Sequence, residues 1–139
     1  MSTRSLVGLK YKDGSVTSIY VHSDGYPSYM EPILHQSFND EKSITELLSH
    51  GAARYLEYSI DEISFFEENG SIDLPHFHKD VQSFLNGDTF GACFRYLFID
   101  GKWYYDVPYR ATPLTLLPYG QPEELTEDVF KDETLMPWW

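Results

Sequence analysis

An α+β domain, with a mainly antiparallel sheet and two or three helices packed on one face, follows from three features of the sequence. One alternating hairpin turns at Asp13-Gly14 and another at Asp100-Gly101, while helical periodicity occupies much of the stretch between them. Strands, then helices, then strands again favour a sheet whose apolar side the helices cover.

The first strand runs from about Ser5 to Tyr11 and sets Val7, Leu9 and Tyr11 on one face, with Leu6, Gly8 and Lys10 on the other. Its partner, Val16 to His22, sets Ile19 and Val21 opposite Tyr20 and His22. Asp13-Gly14 tolerates the positive dihedrals of a tight hairpin turn. After Asp24-Gly25, Met30, Ile33, Leu34 and Phe38 recur at helical spacing. That helix starts near Pro27 or Ser28, or one turn later if Pro32 stands in its first turn. A second helix is capped by Asn39 or Asp40, buries Ile44, Leu47 and Leu48, and stops at Gly51.

From Ala52 to about Phe66 the pattern is ambiguous between strand and helical turn. Asn69-Gly70-Ser71 reads as a turn, and a short helix fits around Asp80 to Leu85. The second hairpin pairs Phe90 to Ile99 with Lys102 to Val107. The first of these strands is apolar on both faces, which places it centrally in the sheet. Thr112-Pro113 then suits the start of a short helix through Leu117.

The 139 residues divide into one domain, residues 1–118, and an acidic tail, residues 119–139, that ends in Trp138-Trp139. A hydrophobic content of 42%, with 17% aromatic, supports a real core. A formal net charge of −12 argues against direct nucleic-acid binding, which needs Lys and Arg to displace counterions from phosphates. It disfavours an anionic membrane surface for the same reason. It favours steered association with a basic partner. One cysteine, Cys93, excludes an internal disulfide, and the absence of a signal-peptide core points to the cytoplasm.

The STRSLVGL stretch, the Asp13-Gly14 turn, the run IYVHSDGYPSYM, the Ser49-His50-Gly51 helix end and the late FIDGKWYY together resemble a widespread family of short bacteriophage-encoded accessory proteins. The resemblance spans roughly Ser2 to Val107 and leaves the acidic tail uncovered. It implies expression in the cytoplasm of an infected bacterial host cell, where small non-enzymatic proteins commonly inhibit host or defence machinery. It carries no catalytic residue to this chain.

No phosphate-cradling glycine loop, serine elbow or dinucleotide fingerprint is present, so a binding protein without cofactor or metal is expected rather than an enzyme. The charged candidates for a basic host or defence partner are Glu67, Glu68, Glu123, Glu124, Glu127 and Asp128, with Asp61, Glu62 and Asp73 nearby in sequence. Such carboxylates imitate a row of phosphates, or they merely keep the surface solvated. Tyr26, Tyr29, Trp138 and Trp139 are the candidate aromatic anchors, and the two indoles also suit a homodimer contact.

A second expectation is a small-molecule binder that sequesters a defence signalling nucleotide through Arg4, His22, Asp24, Tyr26 and Arg95. The bland alternative for His22, Asp24 and Tyr26 is local turn chemistry, and for the arginines ion pairing with the surplus carboxylates. A third is a metal-dependent hydrolase using His22, Asp24 or the His76–His78 pair, for which the sequence supplies no third ligand at metal-site spacing. Cys93, among Phe90, Ala92 and Phe94, reads as a small buried hydrophobe.

Overall fold

The computed structural model describes residues 3–66 and 73–117. The expected Asn69-Gly70-Ser71 turn and the acidic tail lie outside them.

Strands β1 (Ser5–Lys10) and β2 (Val16–Val21) pair antiparallel from Ser5↔Val21 to Lys10↔Val16. Their turn is closed by Asp13, whose Oδ1 accepts from the Ser15 amide at 2.9 Å and the Ser15 hydroxyl at 2.6 Å. Gly14 takes φ of 92°, a region glycine enters without steric cost.

Helix α1 (Pro27–Ser37) starts at Pro27 rather than a turn later, with Pro32 inside it. Pro27 stands where no amide partner is needed, while Pro32 gives up one intrahelical bond. Burial of Met30, Ile33 and Leu34 against the sheet compensates for that loss. Helix α2 (Glu41–Ser49) is capped by Asp40, which accepts from the Ser43 amide at 2.8 Å. Gly51 ends it with φ of 77°, and a Cβ there would lie 2.3 Å from the Asp73 carbonyl oxygen.

The ambiguous stretch after Gly51 is neither a full strand nor a full helix. Ala53 bridges Val21 in parallel and Phe65 antiparallel, and Ile60–Glu62 forms a single 3-10 turn. Strand β3 (His76–His78) then pairs antiparallel with β2, and the short α3 (Val81–Asn86) follows, capped by Asp80.

Strands β4 (Phe94–Ile99) and β5 (Lys102–Asp106) form the second hairpin, with Asp100 and Gly101 at φ of 48° and 84°. Positive φ at both loop positions is the geometry that matches strand twist in a two-residue turn. β4 also lies parallel to β1 and so joins the two hairpins. The six-stranded sheet has the order β3-β2-β1-β4-β5-β6, mostly antiparallel, with β4 in its interior as its apolar faces imply.

Two elements differ from expectation. β4 begins at Phe94 and not Phe90, because Phe90 and Gly91 take φ of 54° and 82° and cannot lie in an extended ladder. Thr112 to Leu117 is not helical. Pro108–Arg110 forms a 3-10 turn, the Thr112 hydroxyl accepts from the Val107 amide, and β6 (Thr115–Leu116) pairs with β5. The backbone polar groups that a helix would have used are engaged in that edge pairing, and the Leu117 amide donates to Trp103.

Alternation along the strands sorts the core into two layers. Val7, Leu9, Ile19, Val21, Tyr96 and Phe98 pack under α1 and α2. Leu6, Val16, Tyr20 and Leu97 lie on the other face with Phe84 of α3. Gly8 sits on that second face, where a Cβ would come within 3.2 Å of Leu97 and of the Thr17 carbonyl. Trp103 is fully buried in the first layer, and its indole N–H donates to the Phe38 carbonyl at 2.8 Å. An apolar side chain of this size contributes up to about 3 kcal/mol on burial, provided its polar atom keeps a partner.

Candidate interaction surface

The Ser23-Asp24-Gly25-Tyr26-Pro27 turn is held from several directions. Asp24 adopts φ of 56°, which aspartate tolerates better than most residues. The Gly25 amide donates to the Thr3 carbonyl at 2.9 Å, and the buried Tyr96 hydroxyl donates to the Gly25 carbonyl at 2.7 Å. Only glycine fits here, since a Cβ would stand 2.6 Å from the Ser5 hydroxyl.

This anchoring fixes where α1 begins and therefore where its tyrosines stand. Tyr26 and Tyr29 are half-buried with ring centroids 5.9 Å apart. The Tyr29 hydroxyl donates to the Leu56 carbonyl at 2.6 Å and lies 3.2 Å from Glu57 Oε1. Burial pushes the Tyr29 phenol well above its ordinary range, and the nearby charges of Glu57 and Asp24 add to that. Tyr29 therefore stays protonated and remains a donor at physiological pH.

Beyond Glu57 the same loop exposes Tyr58, Asp61 and Glu62. Tyr58, Ser59 and Asp61 also line an open polar cleft of about 310 Å³, closed on its far side by Ser43 and Glu46 of α2. Two of the expected anchors, Tyr26 and Tyr29, thus stand with Asp24 beside carboxylates. Glu57 was not singled out from sequence, and the sign that marks it is its place between tyrosines in Tyr55-Leu56-Glu57-Tyr58. Asp61 and Glu62 are exposed farther along the same loop, Asp61 in the cleft that Ser37 and Phe38 at the end of α1 also line. Asp73 is instead half-buried near the end of α2, where its carbonyl accepts from the Ala52 amide.

Glu67, Glu68, Glu123, Glu124, Glu127, Asp128, Trp138 and Trp139 lie outside the described residues. Nine of the ten basic residues, but only fourteen of the twenty-two carboxylates, fall within residues 3–66 and 73–117.

The five residues expected to line a nucleotide pocket do not meet in one place. Asp24 belongs to the tyrosine surface already described, with Tyr26. Arg95 is buried and forms a two-pronged ion pair with Asp106, so its guanidinium serves the fold and not a ligand. Arg4 and His22 lie on the second face of the sheet, beside Tyr20.

The other sequence candidates take structural positions. His78 Nε2 lies 3.3 Å from the Ser18 hydroxyl, with the ring against Phe84, and burial lowers its pKa. The His76 ring packs on Phe90 at 4.8 Å. Among the described residues no group of three or more His, Cys, Asp or Glu could hold a metal ion. Cys93 is buried in the first core layer. No helix among the described residues is long and apolar enough to cross a membrane. Comparison of the chain with family models, with curated proteins and with solved structures found no match in any of the three.

Proposed function

We propose that this chain is a binding protein of the phage accessory type, acting in the cytoplasm of an infected bacterium. It blocks a basic surface of a host defence or nucleic-acid-handling protein. The supporting observation is the placement of Tyr26 and Tyr29 beside Asp24 and Glu57, continued along one loop by Tyr58, Asp61 and Glu62. Carboxylates on such a surface stand in for phosphates, and tyrosines supply rigid contact area at small entropic cost. The pairing suits a partner groove that normally accepts nucleic acid, and the net charge of −12 steers encounter with it.

The test is capture of partners from bacterial lysate on the immobilised protein at low salt, followed by elution with a salt gradient. A basic nucleic-acid-handling protein should be retained and then released as salt rises. The Glu57→Lys/Asp61→Lys variant should lose that retention. Equal retention by the variant would remove this surface from the interaction.

A further inference from the structure

The second face of the sheet gathers a different set of groups, independent of the acidic surface. Register sets Leu6 opposite Tyr20 and Ser5 opposite Val21, so Arg4 and His22 are the next neighbours across the β1–β2 pair. The Tyr20 hydroxyl lies 2.7 Å from His22 Nδ1. Burial raises the Tyr20 pKa, while the charge and hydrogen bonding of Arg4 act in the opposite sense, which places the guanidinium beside the phenol.

A guanidinium only donates, whereas a phenol hydroxyl and an imidazole can each donate and accept, so Arg4, Tyr20 and His22 are chemically compatible polar neighbours. Gly91 leaves room for the guanidinium: at φ of 82°, a Cβ there would lie 2.8 Å from Arg4 Nη1. On the far side, the His22 ring meets Phe66 edge-on at 6.1 Å, and Arg54 lies 4.5 Å over the same Phe66 ring.

We propose that Arg4, Tyr20 and His22 form a binding site for a phosphoryl group carried by a small ligand, with Phe66 and Arg54 as its wall. Arginine matches phosphate oxygens in bidentate fashion, and the imidazole beside it offers a second polar contact. The net charge of −12 repels a polyanion, which restricts the site to one or a few phosphoryl groups rather than a nucleic-acid strand.

Isothermal titration of the full chain at constant ionic strength tests this, with inorganic phosphate and adenosine 5′-monophosphate as separate probes. Saturable binding of at least one probe is expected, weakened tenfold or more in Arg4→Gln and again in His22→Gln. A tighter response to the nucleotide would assign part of the site to its nucleoside, and equal responses would assign recognition to the phosphoryl group alone. Absence of binding by both probes, or unchanged affinity in Arg4→Gln, would overturn the proposal.

Discussion

Arg95 shows how a cation that looks available in sequence is committed by register. Its Nε donates to Asp106 Oδ1 at 3.0 Å, its Nη2 to Oδ2 at 2.6 Å, and its Nη1 to the Leu85 carbonyl. Both side chains are almost wholly buried. Breaking such a pair from one side leaves a charge without compensation, at a cost of about 3–5 kcal/mol, whereas replacing both members by apolar groups of similar size is often far less damaging. Asp106→Ala should therefore lose about 3–5 kcal/mol in urea unfolding, and Arg95→Met/Asp106→Leu should lose less than Asp106→Ala. A double variant as unstable as the single one would mean that the ion pair itself, and not the orphaned charge, carries the stability. The pairing was in fact legible: a two-residue turn at Asp100-Gly101 sets Ile99 against Lys102, and counting back along both strands sets Arg95 against Asp106. Reading Arg95 as a ligand cation overlooked that count. The same reasoning was available on β2, where alternation had already put Tyr20 and His22 on one face. What it could not supply was Arg4, whose guanidinium lies beside Gly91, distant in sequence.

Strand β3 illustrates the limit for whole elements. An extended His76–His78 and an Asp80-capped helix could be read from local pattern, but three residues have too little periodicity to name a partner strand. The partner is β2, with Ser18 meeting His78 across sixty positions of sequence. Hydrogen bonding between distant segments also decided Thr112 to Leu117, where local capping chemistry suggested a helix and the open edge of β5 took the chain as a strand. Pairing β3 against β2 has a consequence for acid stability. Burial, with a smaller contribution from the charge of His76, lowers the His78 pKa below its ordinary 6.5. Between the folded value and 6.5 the unfolded chain binds more protons, so the neutral imidazole's contribution is complete above that window and falls as pH drops through it. The melting temperature should accordingly decline on acidification below about pH 6.5, and His78→Gln should flatten that part of the profile. Parallel profiles for the two proteins, measured by calorimetry in matched buffers, would show that His78 contributes nothing to the slope.

Across the molecule, charge is the property that composition reveals most directly and that local pattern places least well. The sequence expectation concentrated binding carboxylates at Glu67, Glu68 and in the tail. The described residues instead present Asp24 and Glu57 beside Tyr26 and Tyr29, expose Asp61 and Glu62 farther along the loop, and keep Arg4 and Arg54 near His22 on the other face of the sheet. A net charge of −12 on 139 residues also acts on the fold, because like charges repel most when the chain is compact. The screening length shrinks from about 30 Å at 0.01 M salt to about 8 Å at physiological ionic strength. Over that range the melting temperature should rise with sodium chloride. Replacing Glu123, Glu124, Glu127 and Asp128 by their amides should raise the low-salt value and flatten the dependence, since it removes four negative charges from an acidic chain. A melting temperature that instead fell with salt would identify screened attractions, rather than self-repulsion, as the larger electrostatic influence on stability. The acidic surplus would then be tolerated by the fold at little cost, leaving partner encounter as the process in which its effect is felt.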